Sequence, residues 1–540
     1  MAPPARTLQD AAQSIDLLEG GAGASSHATA NSDIALPKLP DNRSAGKAPK
    51  RPLQRAHAGA LVVIHNSSPH RSIPKRDSWR MTMNWAEEEM QTADLGDERL
   101  NVRVAKVLER LGAHPGSSIP AACRGWAETM AAYRFFDHEK ATFETVLTPH
   151  RDATLQRMEC CPVVLLVQDT TELDKWVSLG PKGVGTLKEQ QKYPRRLHPT
   201  VAFTPERICL GVVEALWWSR DEPSPRKARR GKGVDEKESR RWIDSYQASC
   251  ALQGQISKTQ LVNLADAEGD LYEWFTEYAE VAPSTRAQWI VRAAQDRRVL
   301  TGDADKLWAS LAMAPGLGQL AVEVRARPKR PARQARVTLR SATVVLRPPA
   351  RIGRHLPEVS VNAVLAREEN PPEGVEPLEW LLLTSLPVGS LEQASTIVAW
   401  YAVRWYIEIY FHVLKNGCQI NCLQLETEER LLPCIGLYLV VAWRVLYSLM
   451  LGRACPELNC ELIFEAREWR AAYLVIKRCP PLPVPPRLGE MVEWVAGLGG
   501  YLGRKHDGPP GPKAMWIGLQ RLREFVIALE ARDALAGTYV

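Results

Sequence analysis

The sequence predicts an α/β (α+β) fold, a mixed core set between helical ends, and three observations predict it. Val163-Val164-Leu165-Leu166-Val167 is a continuous apolar run of strand length bounded by Pro162 and a polar turn, and Leu261-Val262-Asn263-Leu264-Ala265 is another short run. Each run ends in a carboxylate, Asp169 or Asp266, which is where α/β sheets place their sites. Helical periodicity occupies both flanks of the chain, while short β-like runs and prolines fill residues 290–390.

Taken in order, residues 1–83 read as a disordered tail: Gly20-Gly21-Ala22-Gly23, scattered Pro, Ser and Asn, and a single apolar patch at Leu61–Ile64 bury too little to offset ordering entropy. Met81 and Met83 stand before the first patterned stretch, so the tail can lie upstream of the true start. After the Leu95-Gly96-Asp97 turn, Leu100, Val104, Val107, Leu108 and Leu111 recur at helical spacing and open a helical domain over 84–151. The two strands and the β region follow. Ala394 to Lys415, without Gly or Pro, predicts one long helix stopped by Asn416-Gly417. Leu431–Leu451, Leu462–Ile476 and Trp516–Leu535 read as further helices, with a Pro-rich break over 480–486.

At 540 residues, with 45% apolar and 24% charged, the chain has the length of two to four folded domains and is no disulfide scaffold. Its eleven cysteines are odd in number and contain no Cys-x-x-Cys pair, so most are expected to be small buried hydrophobes. The apolar run Leu437–Leu451 is broken by Arg444 and is shorter than the ~20 residues of a membrane helix, so no span is expected, and the N-terminus has no secretory pattern. Net charge is +7, but 1–83 holds eleven Lys/Arg against six Asp/Glu, which leaves the body close to neutral. The local clusters carry more information. Arg325 to Arg354 has ten Lys/Arg and no acid, and Arg226, Lys227, Arg229, Arg230 and Lys232 form a second group; both suit phosphate, although solvated loops also look like this.

On one helix at about 100° per residue, Tyr401 lies at 0°, Arg404 at about −60°, Glu408 at about −20° and Lys415 at about −40°, a narrow polar stripe. Val403, Ile407, Tyr410, Val413 and Leu414 flank it. A lone Arg/Glu pair at i, i+4 is more often a surface salt bridge, but four long polar groups beside an apolar flank point to a site. Two-metal phosphodiester cleavage needs converging carboxylates, and Asp169, Asp266 and Glu408 supply such a set for Mg2+, a hard cation that prefers oxygen.

Gln168-Asp169-Thr170-Thr171, then Asp266-Ala267-Glu268-Gly269-Asp270, then Tyr401-x2-Arg404-x3-Glu408-x6-Lys415 resemble the signature of DDE transposases of the IS-4 insertion-sequence family, Tn-5-like members above all. Asn84-Trp85-Ala86, Asp235-Glu236-Lys237-Glu238-Ser239, Trp380-Leu381-Leu382-Leu383 and Leu498-Gly499-Gly500-Tyr501 add to the likeness, which runs from Asn84 to about Leu529. The resemblance implies an RNase H-like catalytic core over 152–430 with a β insertion at about 290–390. It also implies a DNA-end-binding domain over 84–151 and a dimerisation domain over 431–540. It implies cut-and-paste transposition: nicking at each transposon end, hairpin formation, reopening and strand transfer.

By the same resemblance Asp169, Asp266 and Glu408 ligate two Mg2+ (or Mn2+) ions, while Tyr401, Arg404 and Lys415 hold DNA phosphates. Trp380 stacks a flipped base and Arg292 contacts the same region. The partners are double-stranded DNA, as terminal inverted repeats and target, and a second copy of the chain in the synaptic complex; the location is the bacterial cytoplasm, at the nucleoid. Two rival functions remain open, an RNase H-like nuclease without strand transfer and an inactive transposase-derived DNA-binding protein. The apolar stripe Ile517, Leu519, Leu522, Phe525, Val526 and Leu529 is the candidate dimer interface, with ordinary packing inside the chain as the alternative.

Overall fold

The computed structural model describes residues 34–35, 84–173, 195–219, 237–302, 304–324, 333–350, 355–425 and 427–538. The chain divides into two compact units, one built from Met1–Lys50, Leu264–Glu280 and Gln288–Trp405, the other from Arg51–Asn263, Val281–Ala287 and Tyr406–Val540.

The second unit opens with helices α1 (Trp85–Glu89), α2 (Glu98–Ala113), α3 (Ile119–Cys123), α4 (Trp126–Phe136) and α5 (Phe143–Glu159). Their starts are written in the sequence. Asn84 and Glu87 form a capping box on α1, Asp97 accepts from the Arg99 N–H on α2, and Thr142 with Thr145 caps α5. Val104, Val107, Leu108 and Leu111 bury one face of α2, as their spacing predicts.

The sheet of this unit comprises β1 (Val163–Gln168), β2 (Thr171–Leu173), β3 (Arg195–Phe203), β4 (Cys209–Ser219) and the start of β5 (Gln260–Ala265). β3 pairs antiparallel with β1, β2 and β4. β5 runs parallel to β1: the Gln260 N–H donates to the Pro162 carbonyl at their starts (2.9 Å), and Gln168 Nε2 donates to Asn263 Oδ1 near their ends (2.7 Å). Three antiparallel strands followed by a parallel fourth, in the order β4-β3-β1-β5, make an RNase H-like core. Helix α6 (Arg240–Gln255) covers one face, where Ser249 Oγ donates to Asn263 Oδ1 at 2.9 Å.

In the first unit, α7 (Tyr272–Glu280) leads to an antiparallel sheet of β6 (Gln288–Arg292), β7 (Gly316–Val324), β8 (Arg333–Leu346), β9 (Val359–Glu368) and β10 (Glu379–Thr384), ordered β7-β8-β9-β10-β6. A short helix, α8 (Leu307–Met313), sits among these strands in sequence. Ile34–Ala35 pair antiparallel with Glu323 and Val324, which corrects the expectation of a wholly unstructured tail at those two residues. The rest of 1–83 lies outside the described residues.

The long helix expected from Ala394 to Lys415 is not one helix. α9 (Leu391–Val403) ends where the Arg404 N–H turns back to the Tyr401 carbonyl at 2.9 Å, α10 spans Tyr406–His412, and Val413–Gly417 form a π turn closed by the Cys418 N–H on the Val413 carbonyl (2.8 Å). Neither Gly nor Pro marks the first break. A change from i−4 to i−3 bonding ends the ladder, and the single polar stripe computed for a straight helix does not hold.

The second unit closes with α11 (Glu428–Ala454), α12 (Ala466–Lys477), α13 (Leu488–Leu498) and α14 (Pro512–Thr538). α11 is long and apolar enough to cross a membrane, but its apolar window is buried inside the unit. Its Arg444 pairs with Glu468 at 3.5 Å and lies 4.1 Å above the Trp85 ring. α13 and α14 meet almost backbone to backbone: a Cβ on Gly518 would stand 1.8 Å from the Val495 carbonyl oxygen, and one on Gly499 equally near that of Ala514. Leu519, Leu522 and Val526 are buried within the unit, which corrects their assignment to a dimer interface. All eleven cysteines are among the described residues, no disulfide joins them, and eight are buried.

Candidate active site

Asp169 follows β1 directly, and Thr171 resumes the strand as β2. The two segments keep one register against β3, with Gln168 opposite Thr200 and Thr171 opposite Leu197, so Asp169 faces Pro199 and Thr170 faces His198. Proline has no N–H to give. The strand is interrupted at Asp169 and Thr170, and the Asp169 Oδ1 takes the Thr170 N–H at 2.7 Å. The carboxylate occupies a gap in the middle of a strand.

Alternation assigns the faces. Gln168 and Thr170 point to the side covered by α6, whereas Asp169 shares the other side with Val167, Val201 and Phe203. Phe203 packs against Tyr406 of α10 at 6.2 Å between ring centroids. Glu408 is one half-turn further along α10, and Tyr410 fixes that helix by donating its hydroxyl to the Leu439 carbonyl at 2.7 Å. Asp169 and the helix that carries Glu408 thus belong to one unit and to one side of its sheet, with Glu408 about 200° round α10 from the Tyr406 contact. Lys415 follows in the π turn, half-buried.

Beneath the α6 side lies a polar row that sequence reasoning missed. Gln168 lies opposite Thr200, Thr200 opposite Glu214, and Gln168 bonds Asn263. Burial pushes the Glu214 carboxyl up to about 7. No linear motif joins residues so far apart in sequence; only strand pairing does.

In the first unit, Asp266 directly follows β5 and caps a 3₁₀ turn, Ala267–Gly269, accepting from the Glu268 N–H at 2.8 Å. Four residues on, Asp270 is buried and saturated: it accepts from the Ala294 and Gln295 N–H groups at 2.8 and 2.9 Å and from Arg297 at 2.5 Å. It fixes the turn while Asp266 stays half-exposed. Arg292 stands opposite Leu382, two residues from Trp380 on β10, so the arginine and the half-buried indole share a sheet face as diagonal neighbours. Tyr401, expected on a polar stripe, is buried at 8% exposure; Arg404 is half-buried just beyond it.

The basic segment 325–354 is only partly free for phosphate. Arg333 pairs with Glu368 across the β8–β9 hairpin and Arg340 with Glu369 at 2.6 Å, whereas Arg336 and Arg347 are exposed. Residues 325–332 and 351–354, and the cluster at 226–232, lie outside the described residues.

Among the described residues, no group of three His, Cys, Asp or Glu side chains is gathered to hold a metal ion. What fits a divalent cation at Asp169, Asp266 and Glu408 is the donor chemistry, carboxylate oxygen alone.

An RNase H-like sheet with a carboxylate at a break in its central strand is a frame shared by enzymes that cut nucleic-acid phosphodiesters. Comparison with known families narrows it. Residues 82–141 match the family model for transposase DNA-binding, 184–432 the transposase DDE domain, and 440–537 the transposase Tn5 dimerisation domain. The chain belongs to the Tn-5-like DDE transposases of the IS-4 family, and is a DNA transposase with a DNA-binding and a dimerisation domain. Asp266, Arg292, Trp380, Tyr401, Arg404, Glu408 and Lys415 fall inside the DDE match, and Asp169 lies upstream of it. A solved piggyBac transposase synaptic complex with hairpin DNA is similar at 8% identity, over 74% of this chain and 72% of that one, with a TM-score of 0.31, too distant to bear on the site.

Proposed function

We propose that this transposase moves its element by cut-and-paste: water cleaves one strand at each end, the freed 3′-hydroxyl closes a hairpin on the other strand, water reopens it, and the 3′-hydroxyl then attacks target DNA. The observation that carries the reading is Asp169, held in a ladder gap on the same sheet side as the helix bearing Glu408, in a chain of the DDE family.

Asp169, Asp266 and Glu408 would hold two Mg2+ or Mn2+ ions, which when bound supply activation of the attacking oxygen and charge stabilisation at the leaving one. The rest is done by the chain. Arg404 and Lys415 hold the phosphates beside the cut; Tyr401, grouped with them by the family resemblance, is itself buried. Trp380 offers the indole face on which an extruded base stacks, worth ~1–3 kcal/mol, and Arg292 neutralises the strand beside it. Residues 84–151 bind the terminal inverted repeats, 152–430 form the catalytic domain with its β insertion, and 431–540 pair two copies so that two active sites act on two ends. The protein works in the bacterial cytoplasm, on the nucleoid.

Strand transfer tests the reading against the nuclease alternative. Full-length protein given Mg2+, a pre-cut end with a free 3′-hydroxyl and a supercoiled plasmid joins the two under this account. Cleavage of uncut ends without any joining of pre-cut ones makes it a nuclease.

A further inference from the structure

Thr170 is held from two directions. Arg241 Nε, on α6, donates to Thr170 Oγ1 at 2.8 Å, and His198 Nδ1, directly across on β3, shares a hydrogen bond with the same oxygen at 2.9 Å. A threonine hydroxyl anchored at two points has one rotamer, and the backbone beneath it follows. That backbone N–H is the one bonded to Asp169 Oδ1.

Both anchors are themselves fixed. His198 is fully buried, with Trp242 edge-on at 4.7 Å. Burial drives its imidazole well below the usual range and the Arg241 charge adds to this, so the ring stays neutral and keeps a ring nitrogen available as an acceptor. Arg241 lies 5.5 Å from the Trp218 ring and 5.4 Å from that of Trp242, and Nη1 donates to the Glu238 carbonyl at 2.8 Å. Glu238 in turn takes Arg196 of β3 at 2.6 Å, and Arg196 also pairs with Glu172 across the ladder. The start of α6 is thereby bolted to β2 and β3.

We propose that Arg241 and His198 are positioning residues for Asp169, acting through the Thr170 hydroxyl to aim the carboxylate in its ladder gap. The proposal rests on the assignment of Asp169 as a metal ligand. Outer-shell partners of this kind typically change metal affinity or activity by 10–100-fold when removed.

The test uses full-length protein and Mn2+ alone, with the free-ion electron paramagnetic resonance signal reporting binding without DNA. Thr170→Val keeps the shape and removes the hydroxyl; Thr170→Ser restores it; Arg241→Ala removes one anchor. Thr170→Val and Arg241→Ala are expected to weaken Mn2+ binding about tenfold and to raise the Mg2+ needed for half-maximal nicking by a similar factor, with affinity for end DNA unchanged. Thr170→Ser is expected to behave as wild type. If Arg241→Ala melts early, Thr170→Val decides alone. Wild-type Mn2+ affinity and nicking in a folded Thr170→Val overturns the proposal. Wild-type nicking in Asp169→Ala overturns the ligand assignment beneath it, a different result seen in a different variant.

Discussion

Asp169 stands directly opposite Pro199 in the register shared by β1, β2 and β3. A residue without an N–H, 30 positions on in sequence, thus stands where the strand is interrupted beside a carboxylate. Pro199→Ala restores a donor, lets the ladder close and draws Asp169 into regular pairing. The expected result is nicking slowed about tenfold or more with an unchanged or raised melting temperature, since a small misplacement at a reacting centre is costly. A variant that melts higher and cuts normally shows that the gap plays no part.

Acid stability follows from a buried trio in the same unit. Arg157 bonds Glu89 twice, at 2.9 and 3.0 Å; His150 Nδ1 lies 2.5 Å from Glu89, and its Nε2 takes the Val212 N–H at 3.0 Å. Burial by itself would raise the Glu89 carboxyl, but the Arg157 charge and His150 overcome it and hold it at about 2, against an ordinary 4.5. Burial, against the opposing pull of Glu89, lowers the His150 imidazole below its ordinary 6.5. Both groups are depressed in the fold, so the unfolded chain binds more protons and stability falls with pH, first below 6.5 through His150 and then between 4.5 and about 2 through Glu89. Urea melts from pH 7 to pH 4 should show a steady decline. Glu89→Gln leaves the buried Arg157 without its counter-charge, although it keeps its bonds to the Leu210 carbonyl and Thr154, and should cost about 3–5 kcal/mol at pH 7.

In the C-terminal helices, a buried and an exposed leucine separate folding from association. Leu522 is 1% exposed and Leu535, on the same helix, 60%. Leu522→Glu should abolish cooperative melting. Leu535→Glu should leave the melt intact and weaken self-association in sedimentation; an unchanged dimer in Leu535→Glu moves the interface elsewhere. Gly518→Ala, with a Cβ 1.8 Å from the Val495 carbonyl oxygen, should cost about 1–3 kcal/mol or more by prising α13 from α14.

Among the hairpin arginines, pairing predicts function. Arg336→Ala and Arg347→Ala, both exposed, should each lower the slope of log K against log salt for DNA by about one; Arg340→Ala, whose charge already meets Glu369, should leave the slope nearly unchanged. Filter binding across a salt series measures all three.

Trp380→Ala should permit the first nick and slow hairpin closure, because only the second step needs the extruded base. Equal losses at both steps would make the indole a packing residue.

Much of this was legible in the chain. The strands before Asp169 and Asp266 announce themselves as short apolar runs, the second broken only by Asn263, and the caps at Asn84, Asp97 and Thr142 stand where the helices begin. What was illegible depends on contacts across the sequence. Pro199 means nothing until strand pairing sets it against Asp169. The break after Val403 carries no Gly or Pro, so periodicity ran straight through it. The stripe of Leu519, Leu522 and Val526 reads alike whether it meets its own chain or a second copy.

On the proposed function, three carboxylates carry the chemistry while basic groups carry the grip. The most direct measurement of this division is Mg2+-dependent nicking of a duplex transposon end by purified, folded Asp169→Ala, Asp266→Ala and Glu408→Ala, with end binding followed by gel shift in the same samples. The account predicts no cleavage by any of the three and end affinity within about threefold of wild type. Cleavage surviving in any one of them contradicts it.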